Sequence, residues 1–367
     1  MWRISQIIMF AFLCAAAGRA QETIANAKGN LMHGFTLEEF ISVATGCHQV
    51  SLIDGTYHFR RFPVEVLEFF SPIPSRFVRA EATSGIRLRF RSDTRVLIVS
   101  GNIKEKSPQT EPFILLCNDS VLAELPLRGT SGDFEQKFIF QGNQEKIIEI
   151  CFPAYCAGTI RKLMTEENAT VVPLKRKGIY YAMGNSITQQ GGRYKGYADI
   201  VARGLDLGLH DAGVGGHIFE AGSLPFAYVD NPDLITIAYG TNDWSGSRPV
   251  ENARSFLDRL TSLYPETPVY LLEPLRRYVP LSETGKLARN KSGYSLQYYR
   301  RKYRRIAREF PTVTVISYKK LMPDEPELFA DGVHPSDKGH ELYGKNLLRL
   351  LLKLHLGRRP GSDRLNN

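Results

Sequence analysis

Two patterns of apolar and polar positions divide the chain near residue 175. From Val66 to Val172 the apolar residues come in short β-rich runs, several alternating with polar ones, broken by Gly, Asn, Asp and Ser. The pattern predicts strands at Val66–Phe70, Ile86–Phe90, Arg95–Ser100, Phe113–Cys117, Lys137–Gln141, Lys146–Phe152 and Thr159–Leu163. Short alternating strands with frequent turns predict an antiparallel β-sandwich. Ahead of them Thr36-Leu-Glu-Glu39 has the spacing of a capping box and predicts one short helix. Beyond the connector Lys175-Arg-Lys-Gly178 the texture changes. Strands at Ile179–Met183, Leu209–Ala212, Leu234–Tyr239, Val269–Leu272 and Val313–Ser317 alternate with helices. Those helices start at Tyr197 and Val250, span Gln297–Glu309, and end the domain from Asp337 to Leu354. Continuous apolar strands between helices predict an α/β domain, a parallel sheet covered by helices on both faces. Ligands of such sheets bind at the carboxyl ends of the strands.

The resulting division is a leader at 1–20, a β-sandwich domain with a short leading helix at 21–174, an α/β domain at 175–357 and a polar tail at 358–367. The leader has a positive start at Arg3, an apolar run from Ile7 to Ala17 and small residues around Gly18-Arg19-Ala20, the pattern of an export signal. It predicts a periplasmic or extracellular protein. No stretch reaches the ~20 apolar residues that a spanning helix needs, so no membrane span is expected. Cys14 leaves with the leader, and Cys47, Cys117, Cys151 and Cys156 remain. In an oxidising compartment an even count fits one or two disulfides, Cys151 and Cys156 being the nearest pair; buried free thiols in a β-domain fit it equally. With 43% hydrophobic and 23% charged residues the composition is that of an ordinary globular protein. The net charge of +9 reads as a mildly basic solvated surface, and no nucleic-acid partner is expected.

Four segments at predicted strand ends carry the candidate chemistry. Gly184-Asn185-Ser186 follows the first strand of the second domain, where a small turn presents a serine hydroxyl at the sheet edge. Asp211-Ala-Gly213-Val-Gly215-Gly216 follows the second, and its glycines let backbone N–H groups approach a ligand. It is not a dinucleotide fingerprint, because Ile218 holds the place of the third glycine, and it lacks the Gly-Lys-Ser/Thr of a phosphate loop. Gly240-Thr-Asn242-Asp243 follows the third, with an uncharged amide suited to hold a developing oxyanion. Asp331-Gly-Val-His334 precedes the last helix, at a spacing that lets the carboxylate fix the imidazole tautomer. No cysteine and histidine spacing fits structural zinc, and neither metal nor cofactor is expected.

In this order, each beyond a strand, the four segments resemble those of the SGNH hydrolases, also called the GDSL lipase/esterase family. The resemblance covers residues 178–354 and implies a flavodoxin-like hydrolase domain. It places Ser186 as nucleophile, Asp331 and His334 as the Asp-His pair, and Ser186, Gly216 and Asn242 as the oxyanion hole. Phe152-Pro-Ala-Tyr155 and the sandwich around it resemble the N-terminal domain of some bacterial members. One residue departs from the family name: Asn185 stands in place of the aspartate of Gly-Asp-Ser, keeping a hydrogen-bonding oxygen and losing the charge. The elbow of α/β-hydrolases is excluded, because Thr188 replaces its second glycine.

Arg193, Tyr194, Trp244 and Arg248 follow the first and third segments and are candidates to line a substrate cleft. The basic run Arg300–Arg305 reads as a solvated helix face. Three functions remain open: an esterase that removes acyl groups, most simply acetyl, from carbohydrate; a lipase or thioesterase of the same mechanism; and a non-catalytic glycan-binding protein.

Overall fold

The computed structural model describes residues 24–25, 31–104, 111–126, 130–278 and 289–356. The expected leader at 1–20 and the polar tail at 358–367 lie outside the described residues.

The N-terminal half forms two antiparallel sheets, of seven and six strands among the described residues. Val96–Lys104 pairs with both Gly132–Ile139 and Ala157–Glu166 in one sheet, and Lys146–Cys151 joins Arg87–Ser92 to Phe113–Cys117 in the other. Their inner faces share a core of Phe35, Phe40, Phe59, Leu88, Phe90, Val99, Phe113, Ile150 and Phe152. This is the expected sandwich. Thr36 caps the helix Leu37–Val43, and Glu39 reaches back to the Thr36 N–H at 2.7 Å, completing the capping box.

One predicted strand is a helix. Val64–Phe70 follows Pro63, whose fixed φ suits the entry to a helical turn, and buries Val66 and Phe70 four residues apart on one side. Together with Pro74–Glu81 it leaves the sandwich: Phe62, Val66, Phe70 and Ala80 pack beside Tyr181, Met183 and Phe219 of the second half. Cys47, Cys117 and Cys151 are free thiols. Cys156 lies in the sandwich core, while Cys151 packs with Ile114, Leu116 and Tyr194. Burial pushes the Cys151 thiol up to about 12, with Arg87 opposing.

The second half is a five-stranded parallel sheet in the order Gly208–Gly213, Ile179–Gly184, Leu234–Ala238, Val269–Leu272, Val313–Ile316. Alternation decides which face each residue serves. Tyr181, Met183, Ile235 and Ile237 face the helices Asn252–Leu263 and Leu296–Ala307, which contribute Phe256, Leu257, Leu260 and Tyr303. Tyr180, Ala182, Leu234 and Tyr270 face Tyr197–Leu205 and Asp337–Leu356, which contribute Val201, Tyr343 and Leu347. The basic run is not wholly solvated. Arg300 is buried, donates from Nε and Nη2 to the Pro274 carbonyl at 2.9 and 2.8 Å, and lies 3.6 Å over the Tyr318 ring. Arg304 pairs with the buried Glu273, while Arg301 and Arg305 face solvent. No helix among the described residues is long and apolar enough to cross a membrane.

Candidate active site

The strand Ile179–Gly184 runs directly into a short helix, Ser186–Gly191, so the first helical residue stands at the carboxyl edge of the sheet. Asn185 is its cap: the side-chain oxygen accepts the Ile187 N–H at 3.0 Å. That role requires an oxygen and no charge, which accounts for an asparagine at this place. Ser186 is half-buried, and among the described residues its N–H has no acceptor.

Ser186 Oγ lies 2.7 Å from His334 Nε2, and His334 Nδ1 lies 2.7 Å from Asp331 Oδ2. With the carboxylate as acceptor the ring proton resides on Nδ1, leaving Nε2 to accept from the serine. The other Asp331 oxygen accepts the His334 and Val333 N–H groups at 2.8 and 2.9 Å. Burial opposes ionisation of Asp331, yet those N–H groups and the imidazole hold its carboxyl below the ordinary value. The turn is closed by Ala330 N–H on the His334 carbonyl at 2.8 Å. Gly332 is obligatory in it: φ is +77°, and a Cβ would stand 1.9 Å from the Tyr278 carbonyl.

The glycine turn brings Gly216 into this edge with φ +80°, and among the described residues its N–H also has no acceptor. Asn242, on the helix Thr241–Ser245, donates one amide N–H to the His217 carbonyl at 3.1 Å, which leaves the second free to donate. Its neighbour Asp243, which sequence reasoning passed over, is buried and accepts the Phe219 and Gly240 N–H groups at 3.0 and 3.1 Å. Asn242 and Asp243 thus tie the second segment to the third. Burial pushes the Asp243 carboxyl up to about 6 against those two bonds.

The four expected cleft residues separate. Arg193 and the half-buried Tyr194 line a cleft of about 560 Å³ between the two halves, together with Glu111, Lys195, Asp337 and Lys338. Arg193 pairs there with Asp337, three residues beyond His334, and lies 3.7 Å from Glu111. Trp244 is no stacking platform: it is 4% exposed, its Nε1 donates to the Tyr294 carbonyl at 2.9 Å, and Arg277 lies 5.6 Å over its ring. Its indole completes the core instead. Arg248 is exposed, and its carbonyl accepts the Tyr299 hydroxyl at 2.8 Å. A further residue reaches the site from the sandwich: Tyr155 OH lies 3.5 Å from the Ser186 carbonyl. Among the described residues no group of three or more His, Cys, Asp or Glu side chains is arranged to hold a metal ion.

Residues 182–342 match the family model of the GDSL-like Lipase/Acylhydrolase family. No curated protein matches the chain. Among solved structures it is similar to the salicylyl-acyltransferase SsfX3 from a tetracycline biosynthetic pathway, at 20% identity and a TM-score of 0.71, over 85% of this chain and 94% of that one. It is similar to a family two carbohydrate esterase from Cellvibrio japonicus at 14% identity, TM-score 0.58, over 88% of this chain and 98% of that one. The family two carbohydrate esterase from Clostridium thermocellum, solved in complex with cellohexaose, aligns at 16% identity and TM-score 0.55, over 75% and 94% of the two chains. At these identities the likeness is one of fold, and it extends across both halves. The sheet order and the match agree: residues 182–342 carry a GDSL-like lipase/acylhydrolase domain.

Proposed function

We propose that the chain is an exported serine ester hydrolase that removes short acyl groups, most simply acetyl, from carbohydrate. The observation that carries the hydrolase reading is the continuous relay Asp331–His334–Ser186, with 2.7 Å at each step. His334 Nε2 takes the Ser186 proton as Oγ attacks the ester carbonyl carbon, and Asp331 stabilises the imidazolium that results. The tetrahedral oxyanion receives the Ser186 and Gly216 N–H groups and the free Asn242 N–H. The alcohol leaves with the proton from His334. Water then attacks the acyl-serine, with the same imidazole as base.

The substrate reading is supported by the cleft between the two halves, whose lining sets Arg193, Lys195, Asp337 and Lys338 among the rings of Tyr194 and Phe152 and the apolar Ile114, Val121 and Ile200. Charged groups of both signs beside aromatic rings suit hydroxyl-rich sugars, which hydrogen-bond at their edges and stack on their apolar faces. The leader pattern would deliver the enzyme to where polymeric glycans are met. The fold neighbours described as carbohydrate esterases point the same way.

Acyl preference is the test. Each buried CH₂ contributes about 0.8 kcal/mol, or roughly fourfold in kcat/KM, to an enzyme with a lipid channel. On aryl esters from acetate to octanoate we expect kcat/KM to fall within a few carbons, and acetate to be released from an acetylated polysaccharide. A rise with chain length and no acetate release would make the chain a lipase. Absence of turnover on every ester would favour the glycan-binding reading.

A further inference from the structure

Gln189 stands on the helix that Ser186 opens, and its side chain is fully buried. The Oε1 atom accepts the Gly215 N–H at 2.9 Å, one residue before Gly216. Its Nε2 donates to two carbonyls of the N-terminal half, Ala154 at 3.0 Å and Arg79 at 3.2 Å. One amide therefore uses its acceptor and both donors to join the nucleophile's helix, the glycine turn and two segments of the N-terminal half. A second clamp lies beside it. Arg61, 1% exposed, donates from Nη1 to the Asp211 and Gly213 carbonyls at 2.8 and 2.9 Å. Its Nη2 and Nε hold the Arg79 and Ala82 carbonyls at 2.7 and 2.6 Å. The glycine turn is gripped at Gly213 and at Gly215, while the Gly216 N–H stays unpaired among the described residues.

A glycine-rich turn has several peptide orientations of similar energy, and only one aims the Gly216 N–H at the oxyanion. Donors fixed before the reaction need no reorganisation during it, and a misplacement of about 1 Å costs roughly 10²-fold in rate. We propose that Gln189 is a positioning residue for the oxyanion hole. Through it the backbone of the N-terminal half sets the Gly216 N–H, so that half is a working part of the active site. The inference rests on the oxyanion-hole role of Gly216 proposed above. The competing account is a plain structural peg between the halves, whose loss lowers stability and leaves each folded molecule as active as before.

The test uses Gln189→Leu, which removes all three bonds, and Gln189→Asn, whose amide is one methylene too short to span both sides. Competent serines in the full chain are counted by end-point titration with a fluorophosphonate, so unfolded molecules do not enter the rate. We expect kcat per titrated serine on an aryl acetate to fall roughly 10- to 100-fold in both variants, with KM within about twofold. The affinity for a boronic acid, which forms a tetrahedral adduct on the serine, should fall in parallel. Thr94→Val is the matched control: it removes a buried bond to the Val96 carbonyl inside the sandwich, away from Ala154, Arg79 and Ala82, and should lower Tm at unchanged kcat per serine. If the leucine variant does not fold, the asparagine variant decides. Wild-type kcat per serine and wild-type boronate affinity in a variant that has lost only Tm would overturn the proposal. A wild-type chain that takes up no fluorophosphonate overturns the hydrolase reading and this inference with it.

Discussion

Asn185 and Asn242 carry the same amide and use opposite ends of it. Asn185 accepts with its oxygen and caps a helix; Asn242 donates one N–H to the His217 carbonyl and keeps a second, which in the proposed mechanism meets the oxyanion. The second contribution exists only in the transition state. Asn242→Ala should therefore lower kcat by roughly 10²–10³, about 2.7–4 kcal/mol, with little change in KM. A steady-state measurement with unchanged kcat would remove Asn242 from the oxyanion hole. At the other end of the site, Asp331 is held ionised by the backbone N–H groups of its own turn. A carboxyl whose folded value is depressed keeps its charge as pH falls. Asp331→Asn should cost roughly 10⁴ in kcat through the wrong tautomer, somewhat less than His334→Ala. Asp331→Asn at wild-type kcat would remove the carboxylate from the site.

The elements of the second half were legible because strands buried on both faces read as continuous apolar runs, and each ends in a glycine or polar break. The capping box at Thr36 was legible for the same local reason. Val64–Phe70 was not, because seven residues hold barely two turns, and Val and Phe suit a strand equally. Trp244 and Arg300 were misjudged because local sequence does not report burial: a partner for the indole N–H and a carbonyl for the guanidinium come from residues far along the chain. The strand Gly208–Gly213 carries a further buried polar group, His210, whose Nε2 is unpaired among the described residues and whose ring meets Tyr181 edge-on at 5.5 Å. Burial, helped by Arg61 and His48, pushes its pKa down to about 3. The folded value lies below the unfolded one, so this group's stabilisation is present above about pH 6.5 and is lost as pH falls toward 3. The stability difference between wild type and His210→Gln should therefore shrink by about 1.4 kcal/mol per pH unit between pH 6 and 4. Urea unfolding at several pH values reads it directly. A constant difference would mean that the imidazole is already charged in the folded protein.

At the scale of the molecule, the two halves were legible as separate textures, but their union was not. Beside apolar packing of Phe62, Val66 and Phe70 and the ion pairs Arg87–Asp199 and Arg203–Glu149, it is made by single side chains reaching remote backbone: Arg61 to Asp211 and Gly213, Gln189 to Ala154 and Arg79, Tyr155 to Ser186. Such bonds leave no periodicity and no motif, since their acceptors are carbonyls that every residue carries. The proposed nucleophile could be picked out because three of its four segments directly follow strands and the fourth, Asp331 to His334, lies just before the last helix. The account therefore stands or falls on Ser186, and the most direct measurement is turnover of an aryl acetate by Ser186→Ala beside the wild type. Loss of a triad nucleophile costs on the order of 10⁶ in kcat, so the variant should fold with an unchanged Tm and show no turnover above background. A folded Ser186→Ala chain that keeps more than about a few per cent of wild-type kcat, far above that expectation, would place the nucleophile elsewhere.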